Sequence, residues 1–234
     1  MRAIILAGGK GVRLHPFTAV LPKPLVPIGG DFSIMEIVIK QLKNCGFNHI
    51  TIAVNHLANL IMAFFGDGEK WGVKIDYSIE EKPLSTIGPL TLIKDLPDDF
   101  LVMNGDILTD LDFSELMESH ISNKADLTIS SYVRNQNIDF GVLEVNSENS
   151  VTGFKEKPDH EFLVSMGVYV LKRTLVDQLE ENKTYGFDNL VIDGIANNIM
   201  IYSYLYDGYW LDIGRPDDYI RANKDYKKLK PHIL

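Results

Sequence analysis

A glycine-rich segment near the N-terminus combines small residues with cations in an order that suits phosphate binding. Glycine carries no side chain, so backbone N–H groups in such a loop can approach an anion closely. Arg13 offers a planar fork for phosphate oxygens, and Lys23 is a point charge on a segment stiffened by two prolines. We therefore expect a polyphosphate site in the segment Leu6-Ala7-Gly8-Gly9-Lys10-Gly11-Val12-Arg13-Leu14-His15-Pro16 and in Pro22-Lys23-Pro24, which follows it.

Two widespread phosphate-binding motifs do not fit this segment. The dinucleotide-binding pattern requires a third glycine three residues after Gly11, where this chain has Leu14. The nucleoside-triphosphatase loop ends in Gly-Lys-Ser or Gly-Lys-Thr, and no such ending is present. For the glycine loop taken alone, a turn with solvated cations stays an open alternative.

Two carboxylates occur in or after apolar segments, where they can serve a divalent cation. Asp106 follows the apolar run Phe100–Met103, and Asp212 lies in a second apolar segment that ends in glycine. Carboxylate oxygens bind Mg²⁺, which bridges phosphates. The alternative makes each aspartate a turn residue or a helix cap, which is the role we expect for Asp110 and Asp112.

Strand-like and helix-like segments alternate through the first half of the chain, which predicts parallel strands with crossover helices. Ligands bind such sheets at the carboxyl ends of the strands. The predicted strands are Ala3–Leu6, His49–Val54, Val73–Ile79 and Phe100–Met103, and the predicted helices are the segment from Ser33 to Gly46, Leu57–Phe65 and Thr86–Ile93.

The second half contains more closely spaced strands, as in an antiparallel sheet. We predict strands at Ala125–Val133, Gly141–Val145, Val151–Phe154, Val164–Leu171 and Met200–Tyr206, and helices at Arg173–Leu179, at Phe187–Ile195 and from Pro216 onward. The expected fold class is α/β: a Rossmann-like mixed sheet flanked by helices, with a smaller antiparallel portion. We expect a single domain over residues 1–234, with a first part over about 1–125 and a second over about 126–234.

The composition excludes some classes of function. The formal net charge of −9 argues against broad binding of nucleic acid, which needs an excess of cations. No apolar run is long enough to span a membrane. The single cysteine, Cys45, excludes an internal disulfide or a cysteine-built metal site; we expect a buried thiol and a cytoplasmic location. Assembly into a homo-oligomer stays open.

Read together, the motifs resemble those of the sugar nucleotidyltransferases, also called NDP-sugar pyrophosphorylases. The family has Gly-Gly-x-Gly-(Thr)-Arg-Leu-x-Pro-(Leu)-Thr after its first strand and then Pro-Lys-Pro, which this chain matches with GGKGVRLHPFT and PKP. The resemblance extends over nearly the whole chain and is greatest to the short, single-domain, mannose-1-phosphate guanylyltransferase-like members. Further motifs in family order are Asn104-Gly105-Asp106, Glu156-Lys157-Pro158, Gly167-Val168-Tyr169 and Trp210-Leu211-Asp212-Ile213-Gly214.

The resemblance implies a Mg²⁺-dependent reaction in which a nucleoside triphosphate and a sugar 1-phosphate give an NDP-sugar and pyrophosphate. It assigns the metal to Asp106 and Asp212, and catalytic roles to Arg13 and Lys23. It assigns the acceptor sugar phosphate to Gly141, Glu156, Lys157 and Ser165, and the nucleotide to Leu6, Ala7, Gly8, Gly9, Gly11, Glu80, Ser85 and Thr86.

The residue at position 80 bears on which base is bound, because the family places a base-reading side chain there. A carboxylate only accepts hydrogen bonds, and guanine offers N1–H and the N2 amine side by side. If Glu80 faces the base, GTP is favoured, with UTP or dTTP behind it; if it is a surface glutamate, the base stays open.

Some positions depart from the family pattern. Val12 replaces the usual Thr, Ser85 a common Gly, Ile87 a common Ala, and Ser165 a common Asn. The change at Ser165 leaves room for an unusual sugar phosphate or a non-sugar acceptor. The alternatives are therefore a cytidylyl- or uridylyltransferase with a different phosphorylated acceptor, and a non-catalytic, nucleotide-binding regulatory subunit.

Overall fold

The computed structural model describes residues 1–233, which form a mixed α/β fold. Over these residues the elements follow in the order β1 (Arg2–Leu6), β2 (Pro27–Ile28), β3 (Phe32–Ser33), α1 (Ile34–Asn44), β4 (His49–Val54), α2 (Ala58–Phe65), β5 (Lys74–Ile79), β6 (Asp99–Asn104), β7 (Ile107–Thr109), α3 (Phe113–Ser122), β8 (Leu127–Asn137), β9 (Val142–Val145), β10 (Val151–Lys155), β11 (Asp159–Lys172), α4 (Arg173–Asp177), α5 (Phe187–Ala196), β12 (Ile201–Tyr206), β13 (Trp210–Asp212) and α6 (Pro216–Ile233).

Seven of these strands form the central sheet, in the order β12-β8-β11-β6-β1-β4-β5. The strands β6, β1, β4 and β5 run parallel, and β12 runs parallel to β8. Strand β11 is antiparallel to both of its neighbours and joins the two parallel groups. Short two-stranded sheets are formed by β9 with β10, β7 with β13 and β2 with β3. The predicted fold class, a Rossmann-like mixed sheet with smaller antiparallel portions, is confirmed.

Apolar side chains fill both faces of the sheet and a third cluster beside it. The helices α1, α2 and α3 contribute to the core on one face, and α4 and α5 to the core on the other. The third cluster packs Leu14, from the glycine-rich segment, against Ile213 and against Tyr226 of α6. This cluster anchors the N-terminal loop to the C-terminal helix, so two segments that are distant in sequence hold one side of the fold together.

Most predicted elements are found within one to three residues of their expected bounds, and the differences have local causes. The short helix predicted at Thr86–Ile93 is found as a 3₁₀ helix at Gly88–Leu92 rather than as an α-helix. The N–H groups of Ile87 and Gly88 both bond to the carbonyl of Tyr185, which ties the start of this segment to another loop.

The sequence patterns did not predict helix α3, although Asp112 was expected to be a turn or cap residue. Asp112 accepts hydrogen bonds from the N–H groups of Ser114 and Glu115, as expected of an N-cap. The buried face of the helix consists of Phe113, Leu116, Met117 and His120. Because the last of these residues is a histidine, the apolar residues alone show the helical spacing over only a short stretch of sequence.

The thiol of Cys45 is half-buried rather than fully buried as the sequence analysis expects, and burial raises its pKa. Within residues 1–233, none of the helices has the length and apolar character that crossing a bilayer requires.

Candidate active site

A cavity of about 500 Å³ opens at the carboxyl ends of four parallel strands. The chain leaves β1 at Leu6, β4 just before Asn55, β5 just before Glu80 and β6 at Asn104, so the strand ends converge on one edge of the sheet. This is the place where open α/β sheets bind ligands. The lining residues are Leu6, Ala7, Gly8, Gly9, Gly11, Val12, Arg13, Lys23, Pro24, Asn55, Glu80, Pro83, Ser85, Thr86, Pro89, Asn104, Gly105, Asp106 and Gly214.

The glycine loop needs glycine at two positions for different reasons. A Cβ at position 8 would lie 2.8 Å from a carboxylate oxygen of Glu80, so a larger residue there would displace that carboxylate. Gly11 has φ of +63°, in the left-handed region that glycine adopts without strain. The hydroxyl of Thr18 donates to the carbonyl of Gly11 at 2.8 Å and holds this turn.

Lys23 is buried at the wall of the cavity, in a 3₁₀ turn that follows Pro22. Its ammonium group donates to Oδ2 of Asp106 in a short ion pair. The other oxygen of Asp106, Oδ1, is buried and has no hydrogen-bond partner in the described chain. A buried carboxylate oxygen without a partner is costly, and it has the chemistry of an unfilled cation ligand.

A second carboxylate, that of Asp212, comes near Asp106 because two strands about a hundred residues apart in sequence pair with each other. Strand β13 pairs with β7 so that Asp212 lies opposite Ile107, and the N–H of Ile213 bonds to the carbonyl of Asp106 at 3.0 Å. Partial desolvation and then the negative charge of Asp106 raise the pKa of Asp212, while Lys23 and Arg13 act in the opposite direction. Asp212 thus shares one electrostatic site with Asp106.

The two aspartates form a donor set that fits Mg²⁺. They supply hard oxygen ligands, one of them an unpartnered buried oxygen. Among residues 1–233, no group of three or more His, Cys, Asp and Glu side chains could hold a metal by itself. Mg²⁺ commonly uses one or two carboxylates and completes its shell with water and substrate phosphates, so two carboxylates at a triphosphate site suffice.

Arg13 lies where the N-terminal loop meets the start of α6. A Cβ on Gly214 would lie 3.6 Å from the guanidinium carbon of Arg13, so this loop packs directly beside the arginine. Asp218 accepts hydrogen bonds from the N–H groups of Gly214 and Arg215, at 3.1 and 2.8 Å, and fixes that loop. The ring of Phe17 also lies 4.7 Å from that of Tyr219. Helix α6 therefore supports the cationic side of the cavity.

Glu80 is buried and lines the same cavity. Its Oε2 accepts a hydrogen bond from the N–H of Leu84 at 3.0 Å, and the side chain of Asn55 bonds to its carbonyl at 2.8 Å. Burial raises the pKa of this carboxyl, and the hydrogen bond from Leu84 partly opposes the shift. Glu80 is therefore not a solvated surface residue.

The loop after Glu80 carries the other predicted nucleotide contacts. Ser85 lines the cavity with φ of +68°, a left-handed conformation that explains why glycine is common at this position in the family. The hydroxyl of Thr86 accepts a hydrogen bond from the N–H of Phe187 at 2.7 Å. Thr86 therefore lines the cavity while its hydroxyl is bonded to the start of α5.

The predicted acceptor residues lie outside this cavity, on or beside the extended strands of the second half. Gly141 precedes β9, and a Cβ there would meet the ring of Phe154 at 2.6 Å and the carboxylate of Glu156 at 3.3 Å. Glu156 and Lys157 are exposed, and Lys157 has φ of +43°. The hydroxyl of Ser165, also exposed, donates to the phenol of Tyr169 at 3.1 Å.

The structure thus brings together eleven predicted residues at one cavity and places Asp212 next to it, whereas the four predicted acceptor residues are exposed and do not line it. It also adds cavity residues to which the sequence reasoning gave no role, among them Asn55, Asn104 and Gly214. Asn104 and Gly214 belong to motifs that carry the resemblance. Asn55 and Asn104 both lie where a parallel strand ends, so the strand-end argument that identified Asp106 could have found them. Pro83 and Pro89 carried no comparable signal.

The fold, the glycine loop and the paired carboxylates define a nucleotidyltransferase. The model of the family "Nucleotidyl transferase" matches residues 2–229, and the chain belongs to this family. The resemblance read from the motifs is thereby confirmed.

Two curated relatives show where the chain lies within the family. It is 32% identical over 229 residues to mannose-1-phosphate guanylyltransferase of Mycobacterium tuberculosis, covering 95% of this chain and 64% of that protein. It is 34% identical over 248 residues to mannose-1-phosphate guanyltransferase of Schizosaccharomyces pombe, covering 100% of this chain and 68% of that protein. The chain therefore spans about two thirds of the length of these relatives.

Among solved structures, HddC from Yersinia pseudotuberculosis is similar, with a TM-score of 0.75 and 25% identity, covering 96% of this chain and 99% of that one. HddC in complex with GMP-PN matches with the same score, identity and coverage.

Proposed function

We propose that this protein transfers a nucleotidyl group from GTP to a sugar 1-phosphate, giving a GDP-sugar and pyrophosphate. The observation that carries the proposal is the cavity itself, which is lined by the glycine loop, the buried Lys23, Asp106 and the buried Glu80, with Asp212 next to it. The loop, the lysine and the aspartates suit a triphosphate with its metal, and the glutamate suits a base that donates hydrogen bonds. Residues of about 1–125 bind the nucleotide, and residues of about 126–234 bind the acceptor.

Guanine is the base that best matches Glu80. The carboxylate offers only acceptors, and guanine presents N1–H and the N2 amine side by side. Leu84 already occupies one lone pair of Oε2, and the oxygen Oε1 lies toward Gly8 at the glycine loop. The relatives named as guanylyltransferases, and the HddC complex with GMP-PN, agree with this choice.

The chemical step is a direct displacement at phosphorus. An oxygen of the sugar 1-phosphate attacks the α-phosphorus of GTP, a new P–O–P link forms, and the bond to pyrophosphate breaks. No general base is required, because the attacking phosphate is already ionised at neutral pH. Asp106 and Asp212 would hold Mg²⁺, which would supply charge neutralisation on the phosphate oxygens.

In this step Lys23 and Arg13 stabilise the charge that accumulates on the reacting phosphates. Lys23 is held by its flanking prolines and by Asp106, so its ammonium group is in place before the substrates bind. Positioned charges of this kind contribute without reorganisation at the moment of reaction. Arg13 also lines the cavity, where its planar fork suits phosphate oxygens.

On the acceptor side, Lys157 holds the phosphate of the second substrate, and Glu156, Gly141 and Ser165 contact the sugar. These four residues are exposed, and Gly141 lies close to Glu156. The names of the relatives make mannose 1-phosphate the first acceptor to test. The proposal includes the cytoplasmic location expected from the single cysteine.

The test is pyrophosphate release with Mg²⁺, in which GTP, CTP, UTP, dTTP and ATP are each combined with a panel of acceptors. The panel contains mannose 1-phosphate, other hexose 1-phosphates and a non-sugar phosphate such as phosphocholine. We expect release only when GTP and a sugar 1-phosphate are both present.

Each other outcome selects a different function. Release with CTP or UTP contradicts the role of Glu80 but keeps the nucleotidyltransferase class. Release with the non-sugar phosphate contradicts the assignment of the acceptor. Binding of GTP without release in any combination supports a regulatory subunit and overturns the proposed activity.

A further inference from the structure

The two aspartates proposed as metal ligands lie at the same end of a very short strand pair. Strand β7 begins at Ile107, directly after Asp106, and β13 ends at Asp212, which lies opposite Ile107. This antiparallel pair contains only three residues on each strand. The separation of the two carboxylates therefore depends on which residues of β7 and β13 lie opposite each other, that is, on the register of the pair.

Packing in the core fixes this register only in part. Leu108 and Leu211 lie opposite each other and are buried in the third apolar cluster. A shift by one residue would turn one of these side chains away from the cluster. A shift by two residues keeps the same face toward the cluster and would move Asp212 by about 7 Å along the strand. Core packing alone therefore does not exclude the longer shift.

Asp110 constrains the register at the opposite end of the pair. One oxygen of its carboxylate, Oδ1, accepts hydrogen bonds from the N–H of Tyr209, at 2.7 Å, and from the phenol of Tyr206. The N–H of Asp110 also bonds to the carbonyl of Tyr209 at 3.3 Å. Asp110 is thus joined both to the residue just before β13 and to the end of β12, and this set of bonds can form in one register only.

The turn that carries these donors fits closely around the carboxylate. A Cβ at Gly208 would collide with the phenol oxygen of Tyr206 and would lie 2.8 Å from Oδ1 of Asp110. Burial, and then the bond to Asp110, raises the pKa of Tyr206, so its phenol stays protonated and remains a donor. The hydroxyl of Thr109 donates a further bond to the carbonyl of Tyr209, at 2.7 Å. These contacts make the corner a compact, hydrogen-bonded unit around Asp110.

We propose that Asp110 is a positioning residue for the metal site: by fixing the register of β7 and β13, it sets the separation of Asp106 and Asp212. The inference rests on the proposed function only in taking these two aspartates as the ligands of Mg²⁺. Asp110 does not line the cavity, so it acts through the two ligands and not on the substrates.

The experiment measures the binding of Mn²⁺, used in place of Mg²⁺, to the protein without nucleotide by electron paramagnetic resonance. Asp110→Ala is expected to weaken Mn²⁺ binding by about 10- to 100-fold, the usual effect of losing a residue that orients metal ligands. Asp110→Asn removes the charge but keeps an acceptor oxygen, so it is expected to restore most of the affinity. Tyr206→Phe removes one of the two donors to Oδ1 and is expected to give an intermediate loss.

Asp112→Ala is the matched control, because Asp112 is a nearby aspartate whose carboxylate caps α3. This variant also removes a charge and two hydrogen bonds to backbone N–H groups. It is expected to lower thermal stability without changing the affinity for Mn²⁺. Thermal unfolding without metal shows which variants fold, and if Asp110→Ala does not, Tyr206→Phe decides the question.

Three outcomes overturn the proposal. The first is wild-type affinity for Mn²⁺ in Asp110→Ala or, where that variant does not fold, in Tyr206→Phe. The second is an equal loss in Asp112→Ala, which would trace the effect to general destabilisation. The third is a loss in Asp110→Asn as large as that in Asp110→Ala, which would trace it to charge and not to register.

Asp106→Asn separates this inference from the proposed function. If Asp106→Asn binds Mn²⁺ as the wild type does, the proposed metal site is wrong and the role of Asp110 fails with it. If Asp106→Asn loses binding while Asp110→Ala keeps it, the metal site stands and only the positioning role of Asp110 is overturned.

Discussion

The two regions that we propose for the nucleotide and for the acceptor differ in how far their side chains are enclosed. Around the cavity, Lys23 and Glu80 are buried and each has a polar partner, Asp106 for the lysine and the N–H of Leu84 for the glutamate. In the proposed acceptor region, Glu156, Lys157 and Ser165 are exposed. One region is enclosed and hydrogen-bonded within the protein, and the other is open.

The difference in enclosure predicts different effects of mutations in the two regions. A preformed site contributes through rigid placement of charge, so changes there should affect the rate of the chemical step. On an open surface, side chains lose conformational freedom when the ligand binds. Changes there should therefore affect binding. Mutations in the two regions are therefore expected to separate into effects on kcat and effects on KM.

The largest effect is expected for Lys23→Ala. Removal of a positioned cation from the reacting phosphates should lower kcat by about 100- to 1000-fold, the range seen when a single electrostatic donor is lost. Steady-state pyrophosphate release measures the change. Lys10→Ala is the matched control, because Lys10 lies in the same loop but is exposed and does not line the cavity. A kcat near the wild-type value in Lys23→Ala rules out its catalytic role.

A smaller loss of rate, with a changed metal requirement, is expected for Asp212→Asn. The variant keeps an oxygen but loses the negative charge that joins Asp106 in the donor set. The Mg²⁺ concentration for half-maximal rate should rise about tenfold, in line with the loss of about 1.4 kcal/mol of binding free energy. A Mg²⁺ titration of pyrophosphate release measures it.

Asp217→Asn is the control for this titration, since Asp217 is an exposed carboxylate at the start of α6. An unchanged Mg²⁺ requirement in Asp212→Asn would remove Asp212 from the metal site.

The enclosed region was easier to predict from sequence than the way in which its parts converge. The strand before Asp106 and the glycine loop after β1 follow from apolar runs and local spacing. The approach of Asp212 to Asp106 depends on the β7–β13 pairing, between residues about a hundred positions apart. Local sequence patterns do not reveal which residues of two such distant strands lie opposite each other. The bond between Leu84 and Glu80 depends equally on the exact loop path.

In the open region, Lys157→Ala is expected to act on binding. The KM for the sugar 1-phosphate should rise about tenfold, because a charge-assisted contact is worth about 1.5–3 kcal/mol and an exposed lysine gives the lower part of that range. The KM for GTP should stay within about twofold of wild type, a change of less than 0.5 kcal/mol. Initial rates with each substrate varied separately measure both constants.

Lys155→Ala is the matched control for the acceptor side, because Lys155 is exposed two residues earlier and pairs with Glu144 instead. A rise in the KM for GTP in Lys157→Ala, with the acceptor KM unchanged, would contradict the division of the molecule into two binding regions.

Glu80→Gln tests the base-reading wall of the enclosed region. Glutamine keeps one acceptor but replaces the other with a donor, so GTP should bind about tenfold more weakly, a loss of about 1.4 kcal/mol. Since burial raises the pKa of Glu80, acidification should protonate it at a higher pH than an exposed glutamate. GTP affinity of the wild type should then fall more steeply with decreasing pH than that of Glu80→Gln, and titration calorimetry at several pH values would detect this difference. Parallel curves would show that Glu80 does not contact the base.

The smallest effect is expected at Ser85, where the enclosed region departs from the family's common glycine. Its left-handed backbone costs a non-glycine residue roughly 1 kcal/mol. Ser85→Gly removes that strain but gives the unfolded chain about 0.4–1 kcal/mol of additional backbone entropy, so the two nearly cancel. The free energy of unfolding from urea titration should hardly change. Ser85→Val, whose β-branched side chain disfavours positive φ, should be the less stable of the pair. If Ser85→Gly and Ser85→Val lost the same free energy of unfolding, the positive φ at position 85 would not determine which residue is tolerated there.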